Sequence, residues 1–504
     1  MNLAQYLEQH AAASPDRAAI RFEGRTLGYR ELDRQSSQFA RALREAGIAK
    51  GDRVAIYLPN VPEFAVSYYA IQKLGAIAVS INSIFKTEEV RFLLDDSGAK
   101  VVISVAELAG FVPAECKSVA QRVIVDAPAS SPDSLAAWLG RGAALLGEGG
   151  LFASVECEPD DPAALLYSSG TTGFPKGVTL TQANIHSNIA SAAKYSGYRA
   201  DDRLAAFLPL FHVYGQNYIM NACVLAGATL VLFRRFVPDA VLRAVGEERI
   251  TMFFGVPTIF IGLLSLDLSQ YDLSSIRYEM SAAATMPEEI SRRWTERFGR
   301  RVFEGYGLTE CSPFACYNDL EEHRFGSVGR AVEGFELAIF DEDDREVPRG
   351  EWGEIVIRGP GVMKGYWGRP EDSAQALRGG WLHSGDIGRM DGDGYVYIVD
   401  RVKDMINVSG FKVWPAEVEQ YLYKIPGVVE VAVYGIADAD KGERVAVAVV
   451  TKKGADLTAE SIVGYCRDNI AAYKVPAKVD LVSELPKSAT GKILKRVLRA
   501  QAAG

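Results

Sequence analysis

Cysteine is scarce and scattered in this 504-residue sequence: Cys116, Cys157, Cys223, Cys311, Cys316 and Cys466. Their spacing matches neither a disulfide framework nor a zinc site, and a reducing, cytosolic compartment fits that usage. No uncharged apolar run approaches the ~18 residues of a membrane span, so no integral membrane contact is expected. The first residues, "MNLAQYLEQHAAASPDRAAI", lack the basic start and apolar core of a signal peptide and read as amphipathic. Positive charge is in deficit: the net charge is −9, which argues against a nucleic-acid partner. A P-loop is also missing. Lys176 follows Gly173 with Pro175 between them, and Gly491-Lys492 has Pro486 where the first glycine of that motif belongs. There is no internal repeat, heptad run or long low-complexity tract.

What is present is ordinary for a globular protein of two or more domains: 48% hydrophobic and 24% charged residues. Through residue 400, apolar strand-like runs such as "RVAIYLP", "IAVSIN" and "KVVISV" alternate with helical ones such as "VPEFAVSYYAIQKLGA". That alternation predicts an α/β fold with mostly parallel sheets and crossover helices. Residues 330–400 read instead as hairpins, a β-rich subdomain. Residues 404–504 read as a small α+β unit, with 14 Lys+Arg against 12 Asp+Glu. Between them, "DRVKDMINVSGFKVWP" suits a linker or hinge, and "DAPASSPDSLAAWLGRGAALLGEGG" (126–150) reads as a loose surface excursion.

The densest polar stretch is "YSSGTTGFPKGVTLT", Tyr167 to Thr181. Its backbone N–H groups, hydroxyls and one cation, Lys176, are the parts of a phosphate cradle. A flexible surface loop has the same composition, but here strand-like runs flank it on both sides, and Thr181 is placed to cap a following helix. Other segments are ambiguous one by one. His212 in "FLPLFHVYG" suits a core histidine or a catalytic one. Tyr306, Thr309 and Glu310 in "FEGYGLTE" suit base stacking and Mg²⁺ binding, or a turn with a solvated glutamate. Asp386 in "HSGDIG" could accept ribose hydroxyls or cap a turn, and Lys492 in "PKSATGKILKR" could belong to a basic tail.

Taken in order, "YSSGTTGFPKGV", "GYGLTE", "GEIVIRG", "SGD", "DRVKDMINVSGFKVWPAEVE" and "PKSATGK" resemble the adenylate-forming superfamily of acyl-CoA synthetases, luciferases and peptide-synthetase adenylation domains. The flavour of "LPLFHVYG" and "FFGVPTIF" is closest to bacterial fatty-acyl-CoA ligases. The resemblance implies a large domain (1–400), a hinge (401–403) at Lys403, and a small mobile C-terminal lid (404–504). It implies ATP, Mg²⁺ and coenzyme A as cofactors, with formation of an acyl-AMP and transfer of the acyl group to the CoA thiol.

The implied roles are specific. Ser168, Ser169, Gly170, Thr171, Thr172, Gly173 and Lys176 would hold the β- and γ-phosphates. Tyr306 would stack on adenine, and Ala283, Glu304 and Gly305 would also bind the cofactor; Thr309 would meet the α-phosphate; Glu310 and Thr171 would serve Mg²⁺; Asp386 and Arg401 would fix the ribose. Lys492 would bridge the substrate carboxylate and α-phosphate, and Gly410 would line a thiol tunnel after the lid rotates. The acyl pocket would comprise His212, Tyr214, Ser281, Ala282, Gly307 and Pro313. "FFGVPTIF" lacks the Asp of amino-acid-activating relatives, and the pocket segments lack an arginine for a second carboxylate. A medium- or long-chain fatty acid is the first reading of the substrate and a coumarate-like aryl acid the second. An acyl carrier protein is an alternative acceptor, a homodimer is possible, and a non-catalytic nucleotide-binding homologue is the reading from a different class.

Overall fold

Short apolar runs become the central strands. In the computed structural model, which describes residues 2–168, 175–318, 321–401, 404–438 and 440–503, Arg53–Tyr57, Ile77–Ser80 and Val101–Ser104 pair in parallel, with Val54, Ala55, Val79 and Val102 buried. Runs buried on both faces in this way are what helix-covered parallel sheets require. This sheet has seven strands, and it changes direction at Pro162–Ser168, whose partner Lys176–Thr181 runs antiparallel. The polar stretch therefore spans a hairpin. Thr181 caps the following helix Gln182–Tyr195 by accepting from the Asn184 N–H, as its position predicts.

A nine-stranded sheet carries the parallel run Ala18–Phe22, Thr229–Leu232, Arg203–Ala206, Met252–Gly255, Tyr278–Ser281 and Val302–Gly307, edged by antiparallel strands. The β-rich part is a four-stranded antiparallel sheet of Glu336–Phe340, Gly353–Arg358, Leu382–Met390 and Val396–Arg401. A five-stranded sheet built around Val428–Asp438 and Gly442–Thr451, with helices Pro415–Leu422 and Ala459–Asn469, forms the C-terminal part. The mixed α/β architecture is as the strand–helix alternation predicts.

Two local expectations are corrected. Residues 126–150 are not a loose excursion: Leu135–Leu146 is a helix capped by the Ser134 hydroxyl and packed on helix Tyr29–Glu45. Trp138 is buried there, edge-on to Phe39 at 6.0 Å. Gly142 lets the two backbones touch, because a Cβ at that position would lie 1.8 Å from the Gln38 carbonyl oxygen. The small residues that look like loop are the contact surface. Nor is 400–415 mainly a linker: Ile406–Val408 and Phe411–Val413 pair antiparallel through a turn at Ser409 (φ +51°) and Gly410 (φ +88°). Lys403, the expected hinge, lies outside the described residues.

Candidate active site

Side chains from several strands, together with one turn of the C-terminal part, build the site. Tyr306, near the end of strand Val302–Gly307, is buried, and its hydroxyl donates to Asp386 Oδ2 at 2.7 Å. Asp386 and Arg401 face each other across neighbouring strands, and Arg401 Nε lies 3.1 Å from Asp386 Oδ1. Burial raises the Tyr306 phenol well above its ordinary range, and the Asp386 carboxylate adds to that. At Arg401 burial works against the charge, but Asp386, Tyr306, Glu310 and Asp404 outweigh it and raise the guanidinium pKa.

Thr309 and Glu310 form a short 3₁₀ turn immediately beyond. The buried Glu310 carboxylate accepts from the Ser168 hydroxyl at 2.9 Å and from the Tyr366 hydroxyl at 3.1 Å. Tyr366 in turn lies under Lys176, whose Nζ is 5.2 Å from the ring centroid and 2.6 Å from Asp372 Oδ1. Ser168, Lys176 and Glu310 are thus one polar cluster. Ser169, Gly170, Thr171, Thr172 and Gly173, the rest of the expected phosphate cradle, lie outside the described residues. Glu310 is a hard oxygen donor already presented beside two hydroxyls. That suits Mg²⁺, which takes one or two carboxylates together with substrate phosphates.

Two glycines are needed for close packing here. A Cβ on Gly307 would sit 1.5 Å from the Pro313 carbonyl oxygen, and one on Gly305 would sit 2.6 Å from the Met280 methyl. Ala283 holds a left-handed φ of +70° at the mouth of the cleft. Glu304 is buried with no cation beside it among the described residues, so burial raises its carboxyl well above the carboxylate range, and its Oε1 has no partner among them.

The remaining wall is a small cleft shared by His212, Tyr214, Leu208, Pro209, Val256, Ala283 and, from the C-terminal part, Thr490. His212 Nδ1 accepts from the Tyr214 N–H at 3.3 Å, which leaves the ring proton on Nε2. Burial lowers the imidazole to about 4, and the Lys492 ammonium contributes to that. Lys492 therefore acts electrostatically on His212. It is carried on a turn in which Gly491 (φ +81°) accepts from the Thr258 hydroxyl at 3.0 Å. The Tyr214 hydroxyl is buried without a partner among the described residues, as is that of Ser281; Ala282 is partly buried next to it.

Gly410 does not join this assembly. It sits in an exposed turn and its N–H donates to Asn407 Oδ1 at 2.8 Å. A Cβ at that position would meet nothing within 4 Å, so its positive φ is what requires glycine here. Sequence reasoning missed Tyr366, Asp372, Thr258 and Thr490. The run "MKGYWGRPED" gives no sign that its tyrosine and second acid face Glu310 and Lys176.

Among the described residues no helix is long and apolar enough to cross a membrane. Residues 7–367 match the family model "AMP-binding enzyme", and residues 417–492 match "AMP-binding enzyme C-terminal domain". The chain is 35% identical to a long-chain-fatty-acid–CoA ligase of Bacillus subtilis, covering 98% of this chain and 94% of that protein. It is 37% identical to a feruloyl-CoA synthase of an Amycolatopsis species, covering 97% of each. The crystal structure of an anthranilate CoA ligase in complex with anthranoyl-AMP superposes with a TM-score of 0.93 at 30% identity, covering 100% of this chain and 97% of that one. The chain belongs to the AMP-binding enzyme family and is an adenylate-forming acid–CoA ligase.

Proposed function

We propose that the protein activates a medium- or long-chain fatty acid as its acyl-AMP and passes the acyl group to coenzyme A. The observation that carries this reading is the placing of the turn that holds Lys492 against the His212 cleft, with Thr490 in its lining and Gly491 bonded to Thr258, where the described walls hold no carboxylate and no arginine. Leu208, Pro209 and Val256 give the cleft an apolar side that suits a hydrocarbon tail.

A carboxylate does not acylate a thiol at neutral pH, because its leaving group would be oxide. In the first step a carboxylate oxygen bonds to the α-phosphorus of ATP and the bond to pyrophosphate breaks. In the second, the thiol sulfur bonds to the acyl carbon, AMP leaves with its oxygen, and the thiol proton is released. The first step brings two anions together. At 4 Å their repulsion is about 4 kcal/mol at an effective dielectric of 20, and an ammonium between them reverses its sign. Lys492 supplies that ammonium, while neutral His212 offers its Nε2–H without adding a second fixed charge. Asp386 accepts the ribose hydroxyls, oriented by Tyr306 and Arg401. Lys176 and Ser168 hold the departing phosphates. Mg²⁺ bound at Glu310 would neutralise phosphate charge. The large domain spans 1–400, and the lid, 404–504, turns about Lys403 to withdraw Lys492 and bring Gly410 to the thiol path.

The test is pyrophosphate release across C2–C18 fatty acids, benzoate, coumarate, malonate and amino acids, with and without CoA. A peak on fatty acids with CoA-dependent thioester supports the reading. Pyrophosphate release without thioester moves the acceptor to a carrier protein, and no release with any acid defeats it.

Tyr214 favours a second reading, an aryl acid. Tyr214 lines the cleft, its hydroxyl is buried without a partner among the described residues, and its ring packs on Tyr218, which in turn meets Phe254 and Phe314. A saturated chain leaves that hydroxyl unsatisfied at about 1–3 kcal/mol, whereas an oxygen-substituted ring pairs with it. Tyr214→Phe should cost an aryl substrate about tenfold or more in kcat/KM and leave a fatty acid unharmed.

A further inference from the structure

A cleft larger than the one at His212 also borders the C-terminal part. It measures about 470 Å³ and shares no residue with the His212 cleft. One side is helix Pro257–Leu264 with helix Glu288–Phe298; the other is the segment 423–429 together with Lys452. Its size is that of a small-molecule site.

The chemistry of the lining is divided. Ile261, Ile290, Tyr423, Ile425 and Val428 make an apolar wall. Arg293, Lys424 and Lys452 stand at the rim as exposed cations against one acid, Glu289. Arg293 and Lys452 form no ion pair among the described residues, and Lys424 lies over the Tyr421 ring at 5.0 Å. An inorganic anion would use the rim and waste the wall. A neutral hydrocarbon would do the reverse. A nucleotide would need polar partners that the wall does not offer. An amphiphile with one carboxylate satisfies both parts, and the acid substrate of this reaction is such a molecule.

The two sides of the cleft belong to the two parts of the chain. Beside it they are joined by the Glu288 N–H donating to Gln420 Oε1 at 3.0 Å. A turn of the C-terminal part about residue 403 would pull the walls apart. A ligand there binds one orientation only, and so stabilises that orientation by its own binding free energy.

We infer that this cleft binds a free carboxylic acid with an apolar body, and that its occupancy holds the lid with Lys492 at His212, so that excess acid arrests the thioester step. The inference rests on the proposed lid rotation and acid activation.

The experiment uses the full chain with its active site filled by the acyl-sulfamoyl adenosine of whichever acid the pyrophosphate assay selects. Decanoate is then titrated calorimetrically. One further equivalent should bind, and Arg293→Glu/Lys452→Glu should weaken it at least tenfold. Both residues are exposed, so the double variant should fold normally. In single-turnover assays starting from purified acyl-AMP, excess decanoate should slow thioester formation in the native chain and not in the variant. No binding with the sulfamate in place, binding unchanged in the variant, or binding without slowing would each overturn the inference. Pyrophosphate release in the absence of decanoate reports separately on the proposed function, which stands or falls by that assay alone.

Discussion

The state of His212 tests the placing of Lys492 beside it directly. The imidazole sits at about 4 instead of 6.5 because burial disfavours its charge and the Lys492 ammonium repels it. That lowering corresponds to about 3 kcal/mol. The sign follows from proton uptake: between pH 4 and 6.5 the unfolded chain holds a proton on this histidine that the folded chain refuses. Stability from this group is therefore complete above about pH 6.5 and falls as pH drops toward 4. Substituting Lys492→Ala removes the lesser of the two causes, so the His212 pKa should rise above 4 and remain below 6.5. The assay is an NMR titration of the five histidine rings, His10, His186, His212, His323 and His383, with His212→Gln providing the assignment. The assignment is needed because burial also brings His323 to about 4. A His212 titrating near 6.5 in the native chain, or one that Lys492→Ala does not move, would refute the proximity on which the proposed mechanism depends.

Three further outcomes follow from the same geometry. Lys492→Ala should lower acid-dependent pyrophosphate release by roughly 10²–10³ while sparing thioester formation from preformed acyl-AMP, since the lost contact stabilises charge only in the first step; equal loss in both assays would contradict that division. Asp386→Asn should weaken ATP binding and also unsettle Tyr306 and Arg401, at about 1–3 kcal/mol given that the arginine side chain remains 37% exposed; an unchanged KM for ATP would remove Asp386 from the nucleotide site. Gly142→Val should reduce thermal stability by more than a typical surface change, because its side chain would have to occupy the space of the Gln38 carbonyl; a melting curve like the native one would show that the two helices are free to separate.

The sequence made some of this legible and hid the rest for physical reasons. Glycine-bearing strand segments such as "GYGLTE" and "SGD" announce themselves because the chemistry and the backbone requirement lie in the same few residues. Thr181 could be placed as a helix cap because capping is local. The partner of Lys176 could not be found that way, since Asp372 is 196 positions distant. Tyr366 reaches Glu310 across 56 positions, from the short strand Gly365–Tyr366. Residues 135–146 were misread for the opposite reason: Gly140 and Gly142 look like loop punctuation although the leucines and alanines around them favour helix, and Gly142 is there because the Gln38 backbone leaves no room for a Cβ.

The Asp386–Arg401 pair has a consequence in terms of linkage. Arg401 ends the last strand before residues 402–403, and its side chain is held by the carboxylate assigned to the nucleotide's ribose. A group that draws on Asp386 alters the grip on Arg401, the last described residue before the proposed pivot. Such coupling is reciprocal for binding free energies: if nucleotide occupancy biases the pivot, the pivot's angle must bias nucleotide affinity by the same factor. Release of AMP and the return of the lid would then be one thermodynamic event seen from two ends of a single ion pair.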